Sequence, residues 1–293
     1  LMVGFIKPHH PFDPPAPWSQ MYDPNELELL PGWTEEPLEK DLQRHSGFFD
    51  HNTLTESRLR KAMAYYYAMI SQIDHQVGRM IQKLEEKGLY ENTLIIFTSD
   101  HGDYMGYHHL LLKGNYMYDP LVKIPLVVKY PRQAGQNTRS AALCSNSDVA
   151  PTILGQAGCE IPQTMAGGGL VQNQEGREYV FAEAGEGTDC MIRSRSGKLL
   201  VCGKGEDVQY FDLDNDPMEI ENVYGQASYQ EDVAHHLERL RQWALFEALP
   251  PTYGDEYEHV LQQPNARSLA DNHREGMKTY LHQKVEDDLH STS

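Results

Sequence analysis

The spacing of hydrophobic positions divides the chain into stretches with different expected structures. Between Glu56 and Lys87, apolar residues recur at steps of three and four, which predicts one long amphipathic helix ending at Gly88. Two later runs, "NTLIIFTSD" (92–100) and "IPLVVKYP" (124–131), are apolar without alternation, as expected of parallel strands covered on both faces. Together these elements favour an α/β fold with a mainly parallel sheet flanked by helices.

Two shorter segments extend this prediction. Residues 1–6 form an apolar run stopped at Pro8, which predicts another buried strand. The segment "SDVAPTILGQAG" predicts a helix that begins near Asp148 and ends at Gly158, with Pro151 tolerated in its first turn.

The pattern changes at about residue 176. Short apolar runs such as "EYVFAEA" and "VQYFDLDND" alternate there with turns that contain Gly or Asp, which predicts a small antiparallel sheet. A helix from about 228 to 247 and a polar tail are expected to follow. The sequence therefore predicts two parts, an α/β part over 1–175 and a small C-terminal subdomain over 176–293.

Composition narrows the functional classes. The formal net charge of −18 disfavours a non-specific nucleic-acid binder, which needs a basic surface. No run approaches eighteen apolar residues, so no membrane span is predicted. The four cysteines lack the spacing of a zinc site and are expected to be scattered, mostly buried thiols. The first residues lie inside an apolar run with no initiator methionine, which indicates a cut through a longer protein.

Candidate chemistry concentrates in residues 97–114, "FTSDHGDYMGYHHLLLKG". Asp100 and His101 end a predicted strand, where ligands bind in open α/β sheets, and together they offer two ligands to a divalent cation. Lys113, and Lys7 beside His9 after the first predicted strand, are point charges suited to an anionic group. These residues predict a site for a tetrahedral oxyanion ester, although a "DHG" triplet by itself is also a common turn.

Six segments carry a resemblance to a known family. In chain order they are "VGFIKPHHPF", "YYAMISQIDHQVGRMIQKLEEKGLYENTLIIFTSDHGDYMG", "LLLKG", "VKIPLVV", "SDVAPTILGQAG" and "YFDLDNDPMEIEN". Over about residues 1–225 they resemble type I sulfatases of the alkaline phosphatase-like superfamily, with a similarity to iduronate-2-sulfatase and choline-sulfatase-like members. The resemblance implies hydrolysis of a sulfate monoester on a sulfated small molecule or carbohydrate.

The resemblance also implies roles for individual residues. It makes Asp100 and His101 metal ligands, usually for Ca²⁺, and Lys113 and His9 catalytic groups that contact the sulfate ester. Lys7 and His108 are implied to bind substrate, and the neighbouring His109 leaves open which of the two histidines faces the site. By the same resemblance, Asp214 and Asp216 belong to a structural turn.

One family feature is missing from the sequence. The nucleophile of type I sulfatases is a formylglycine made within a C/S-x-P-x-R motif, and none of the four cysteines lies in such a motif. The family's N-terminal pair of aspartate ligands is also missing. We therefore expect half of an active site, inactive by itself. A phosphoesterase or phosphonate monoester hydrolase of the same superfamily, and a non-catalytic binding relative, stay open as alternatives.

Overall fold

The computed structural model describes residues 1–30, 32–33, 53–133, 137–162, 165–170, 176–184 and 188–248. Leu1–Trp243 form one compact unit. The predicted polar tail lies outside the described residues, as does most of the segment between residues 31 and 52. In the described parts of the chain, no helix has both the length and the apolarity needed to cross a membrane.

The long helix predicted from the apolar spacing is confirmed as α1, Glu56–Glu86. Thr55 caps its start, because the Thr55 hydroxyl accepts a hydrogen bond from the Arg58 N–H. Gly88 follows its end with φ of 66°, a left-handed conformation that glycine adopts without steric cost. The buried stripe of α1 consists of Leu59, Met63, Ala64, Ala68 and Met69.

The two apolar runs form strands, but their pairing differs from the prediction. β1, Ile95–Thr98, pairs with β2, Leu126–Lys129, in antiparallel fashion. The connection between them contains a 3-10 turn at Tyr107–His109 and the short helix α2, Asp119–Val122. It is long enough for a parallel crossover, so the antiparallel direction is set by how this segment folds and not by its length. Phe97 and Val127 are exposed, so the described residues do not cover both faces of this pair.

The buried strand predicted for residues 1–6 is wrong. The segment has no regular secondary structure, and Leu1, Met2 and Ile6 are almost fully exposed. An apolar run becomes a strand only where a neighbouring strand satisfies its backbone hydrogen bonds, and no described residue pairs with this one.

The helix predicted near Asp148 is confirmed as α3, Val149–Gln156, preceded by a 3-10 turn at Asn146–Asp148. Ser145 and Asp148 form a capping box at this turn. The flanking Cys144 and Cys159 are exposed, so the expectation of mostly buried thiols fails for them because both lie in connecting segments.

The predicted C-terminal antiparallel sheet is confirmed. Its strands, in spatial order, are β3 (Val180–Ala184), β4 (Asp189–Arg193), β5 (Gly197–Cys202) and β6 (Asp207–Asp212). Helix α4, Gln230–Gln242, follows this sheet, and one π-helical turn extends over Trp243–Glu247.

The two faces of this sheet bury different partners. Met191, Leu200 and Phe211 on one face pack against the segment 104–121. The opposite face packs against α4. The segment that carries the candidate site therefore rests on the C-terminal sheet, and both predicted parts share one core. The boundary at residue 176 stays a prediction.

Candidate active site

His9 contributes a ring nitrogen to the site from near the N-terminal end of the chain. Its Nδ1 lies 2.7 Å from the carbonyl oxygen of His10. A carbonyl oxygen can only accept, so Nδ1 carries the proton, and in the neutral ring Nε2 keeps its lone pair. The His9 and His10 rings stack with their centroids 4.1 Å apart.

Asp100 and His101 follow directly after β1. His101 Nδ1 lies 2.7 Å from the Gly102 carbonyl oxygen, so Nδ1–H donates there and His101 Nε2 also keeps its lone pair. Asp100 Oδ1 accepts the His101 backbone N–H at 2.9 Å. Partial burial raises the pKa of Asp100, but this hydrogen bond, the charge of His101 and smaller contributions hold the pKa below its usual value overall.

Lys113 brings the two segments together. Its Nζ lies 3.3 Å from His101 Nε2 and 3.5 Å from His9 Nε2, although His9 and Lys113 are 104 positions apart in the chain. An ammonium group can only donate, so both contacts fit the tautomers that the backbone carbonyls select. The result is an open cluster in which a cation lies between two imidazole nitrogens.

The sequence around the cluster explains why it forms. A Cβ on Gly102 would lie 2.0 Å from the carbonyl oxygen of Pro120, and the Gly102 N–H donates to Leu121 at 2.7 Å. The glycine of the "DHG" triplet is therefore required by its close approach to α2. On the other side, Asn146 Nδ2 donates to the carbonyl oxygens of Ser99 and Asp100 at 3.2 and 3.4 Å.

Asp100 and His101 fit a shared metal ion. Asp100 Oδ2 lies 3.7 Å from His101 Nε2, and two atoms that bind one Ca²⁺ at about 2.4 Å can lie up to roughly 4.8 Å apart. They supply two of the six to eight ligands that Ca²⁺ prefers. In the described ranges, no group of three or more His, Cys, Asp or Glu side chains is placed to hold a metal. The pair fits as part of a metal site.

The structure does not bring Lys7 and His108 into contact with this cluster. Lys7 forms an ion pair with Asp13 and donates to the Pro11 carbonyl. His108 is only 3% exposed, and its Nε2 lies 2.9 Å from the Glu219 carbonyl oxygen. Their substrate-binding roles stay predictions. The exposed Asp214 lies in the turn after β6, consistent with a structural role.

Three residues near the cluster were missed by the sequence reasoning. His10 lies beside the cluster, because its ring stacks on the His9 ring at a centroid distance of 4.1 Å. Burial and the charges of His9, Lys113 and Lys7 lower the pKa of His10. Asn146 lies in a recognisable capping box, but that pattern predicts a helix start and not a contact with Asp100.

Asp103 is the third missed residue. Burial raises the pKa of Asp103 to about 7, although hydrogen bonds from Met105 and Leu112 and the charge of Lys113 lower it. In the sequence, Asp103 is indistinguishable from an ordinary turn aspartate.

Comparison with models of protein families assigns the chain to a family. The sequence model of the family named Sulfatase matches residues 1–159, which is more than half of the chain. The chain belongs to the sulfatase family. A second model, described as the C-terminal region of N-sulphoglucosamine sulphohydrolase, matches residues 106–245 of this sulfatase chain. The family resemblance inferred from the six sequence segments is confirmed.

Individual relatives extend the comparison. The sulfatase chain is 31% identical to an arylsulfatase from Clostridium perfringens over 80% of its own length and 50% of that protein. A phosphonate monoester hydrolase of Agrobacterium radiobacter has a similar structure, with a TM-score of 0.70 and 27% identity over 82% of this chain and 56% of that one. The structure of BT4656 with its substrate D-glucosamine-2-N,6-O-disulfate gives a TM-score of 0.59 and 26% identity, over 70% and 44% respectively.

Two statements follow from these matches. The alkaline phosphatase-like α/β fold class is confirmed by structures with the same architecture. The chain spans about half the length of the curated relatives it matches.

Proposed function

We propose that this sulfatase chain supplies one half of the active site of a sulfuric ester hydrolase. The observation that carries the proposal is the convergence of Lys113 on His9 and His101, at 3.5 and 3.3 Å. A cation beside two imidazoles and an exposed carboxylate is an arrangement suited to an anionic ester, because it offers charge, a proton site and metal ligands together.

Asp100 and His101 would hold a divalent cation, Ca²⁺ in this proposal. Sulfatases are generally metal-dependent, and a bound cation would offset negative charge on the oxygens of the sulfuryl group. The Gly102 carbonyl keeps the proton on His101 Nδ1, so Nε2 is the atom available to the metal. Asp100 retains Oδ2 as a second ligand, since Oδ1 is occupied by the His101 N–H.

Lys113 and His9 act on the substrate itself. The Lys113 ammonium would contact a sulfuryl oxygen and stabilise the charge that develops there in the transition state. His9 would protonate the departing oxygen from Nε2, because its Nδ1–H is held by the His10 carbonyl. After losing the Nε2 proton, His9 would keep the proton on Nδ1, where the His10 carbonyl accepts it.

The residues assigned in this chain do not include a nucleophile. We propose a formylglycine outside these 293 residues, because no C/S-x-P-x-R motif occurs in the sequence. A formylglycine there would supply the nucleophile that the residues of this chain lack.

A sulfated small molecule or carbohydrate is the proposed substrate. The disulfated glucosamine bound by BT4656, a structural neighbour, supports a sulfated sugar. Lys7 and His108 are the proposed additional substrate contacts. For Lys7 this requires exchange of Asp13 for a substrate anion, since the two side chains form an ion pair. For His108 it requires movement of a ring that is buried in this structure.

The similarity to a phosphonate monoester hydrolase supports a second candidate function. A sulfate monoester and a phosphonate monoester both carry a single negative charge, so Lys113 and a metal ion would serve either reaction. A non-catalytic binding role for the chain is the third possibility, and it predicts binding without turnover.

A paired assay tests the proposal. The protein expressed from its complete reading frame is given an aryl sulfate, glucosamine 6-sulfate and an aryl phosphonate monoester, with and without EDTA followed by Ca²⁺. We expect metal-dependent turnover of sulfate esters that exceeds turnover of the phosphonate. A larger rate on the phosphonate would favour the second function, and ligand binding without turnover would favour the third.

A further inference from the structure

The Asp103 carboxylate links the two ends of the loop that precedes Lys113. Asp103 Oδ1 accepts hydrogen bonds from the backbone N–H groups of Met105, at 2.9 Å, and Leu112, at 3.0 Å. The Tyr104 N–H donates to the Leu112 carbonyl at 3.0 Å, beside the same carboxylate. The two ends of the loop 103–112 are therefore tied together immediately before Lys113.

The backbone of this loop is strained where Asp103 holds it. Met105 and Leu112 have φ angles of 46° and 67°, in the left-handed region that non-glycine residues rarely adopt. This conformation is unfavourable for an L-residue and persists only when its surroundings hold it. Both strained residues donate their N–H to Asp103, so the carboxylate is placed to hold both.

Leu112 matters most because it directly precedes Lys113. If Leu112 relaxed to an extended conformation, its φ would change sign and the chain direction at Lys113 would rotate. The Lys113 ammonium would then leave its position 3.3 Å from His101 and 3.5 Å from His9. A change of about 1 Å in the position of a reacting group can reduce turnover by around a hundredfold.

We propose that Asp103 is a positioning residue, whose carboxylate keeps Leu112 left-handed and thereby aims the Lys113 ammonium at the cluster. The effect on turnover rests on the proposed function, but the positioning itself does not. The loop 103–112 also packs against α1, since a Cβ on Gly106 would lie 2.3 Å from Leu59. That packing holds the loop near Gly106, whereas Asp103 holds the end of the loop at Leu112.

The first experiment needs no activity. Hydrogen exchange at the Met105 and Leu112 amides is measured in the 293-residue chain, for the parent protein and for Asp103→Ala and Asp103→Asn. The amide oxygen of asparagine can still accept both hydrogen bonds, whereas alanine cannot. We expect exchange at these two amides to accelerate at least tenfold in Asp103→Ala, with much less change in Asp103→Asn and little change at amides within α1. Unchanged exchange, or an Asp103→Ala chain that unfolds, would overturn the positioning role.

The second experiment uses turnover by the protein expressed from its complete reading frame. We expect kcat to fall by about 10- to 100-fold in Asp103→Ala with KM nearly unchanged, and to stay within about threefold in Asp103→Asn. Asparagine adopts the left-handed region more readily than leucine, so Leu112→Asn should restore part of the activity lost in Asp103→Ala.

The outcomes separate the two proposals. Faster exchange in Asp103→Ala, in a parent protein without turnover, would refute the proposed function and leave the positioning role intact. A parent protein that turns over sulfate esters, with Asp103→Ala equally active, would refute the positioning role alone.

Discussion

Lys198 is a fully buried cation held between two carboxylates. Its Nζ lies 2.5 Å from Glu219 Oε1 and 3.0 Å from Asp119 Oδ1, and Glu219 is itself fully buried. Burial raises the pKa of Glu219, against the lowering effect of Lys198. For Asp119, the charges of Lys198 and Arg193 outweigh burial and lower the pKa. This network joins β5 to α2, the helix next to the candidate site.

Replacement of Lys198 should therefore be costly. Lys198→Met leaves Glu219 buried without its cation, whereas Asp119 keeps its ion pair with Arg193. We expect the free energy of unfolding at pH 7 to fall by about 3–5 kcal/mol. Without the cation, the pKa of Glu219 should rise further. An acid whose pKa is raised on folding loses stability as pH increases through that pKa, so the deficit should be smaller at pH 5 than at pH 7.

Urea denaturation at both pH values measures this effect. The double variant Lys198→Met/Glu219→Gln should recover part of the loss, because it removes the unpaired charge of Glu219. A loss below about 1 kcal/mol for Lys198→Met would contradict the assigned network.

Lys113 and Asp214 allow a comparison between a proposed catalytic residue and a residue with a structural role in a turn. In the protein expressed from its complete reading frame, Lys113→Ala should reduce kcat by about 10²–10³-fold, because a charge aimed at the transferring group is lost. Asp214→Ala should leave kcat nearly unchanged and alter stability by no more than about 0.5 kcal/mol, since Asp214 is an exposed turn residue. Steady-state kinetics and thermal unfolding of the two variants check this. A folded Asp214→Ala protein as inactive as Lys113→Ala would show that the division is wrong.

At the scale of elements, the sequence pattern predicted those helices and strands that form through interactions between residues close in the chain. The spacing of apolar residues at three and four positions predicted α1, and the alternation of apolar runs with turns predicted the four-stranded sheet. The direction of the β1–β2 pair was not predictable from the two runs, because it depends on how the connection between them folds. The strand predicted for residues 1–6 failed for a related reason, since a strand needs a partner that its own sequence does not specify.

The candidate site shows the same difference between residues that a local pattern predicts and residues whose role depends on the fold. Asp100, His101 and Lys113 were predicted because they follow a predicted strand in one short segment. His9 was predicted from the family resemblance and from its place after the predicted strand 1–6, which the structure does not contain. Asp103 and Asn146 were missed because their roles arise from contacts that form only when the chain has folded. The close approach of Gly102 to α2 belongs to the same class.

Gly102 allows a direct test of that approach. Gly102→Ala would place a Cβ against the Pro120 carbonyl, and we expect a loss of about 1–3 kcal/mol in the free energy of unfolding as α2 is displaced. Gly78→Ala is the matched control, because Gly78 lies within α1 and a Cβ there meets nothing within 4 Å. That variant should gain about 0.5–1 kcal/mol from helix propensity. Chemical denaturation of both proteins should give changes of opposite sign, and equal signs would contradict the packing assigned to Gly102.

At the scale of the whole molecule, the main expectation concerns metal affinity. The assigned ligands are one carboxylate and one imidazole, whereas calcium affinity follows the number of carboxylate ligands. We expect the 293-residue chain to bind Ca²⁺ with a Kd of about 1 mM or weaker, and Asp100→Ala to abolish this binding. Titration calorimetry measures both values. Micromolar binding, or binding unaffected by Asp100→Ala, would mean that other residues hold the ion.

The contact between the C-terminal sheet and α2 has a consequence for genetic studies of this protein. A screen for loss of activity would recover substitutions at Lys198 and Glu219 together with those at Lys113, although the first two residues make no contact with the cluster in this structure. Judged by phenotype, the three positions would fall into one class. Measured protein abundance would separate them, because Lys113 variants should accumulate normally while the buried-charge variants should be cleared by cellular proteases.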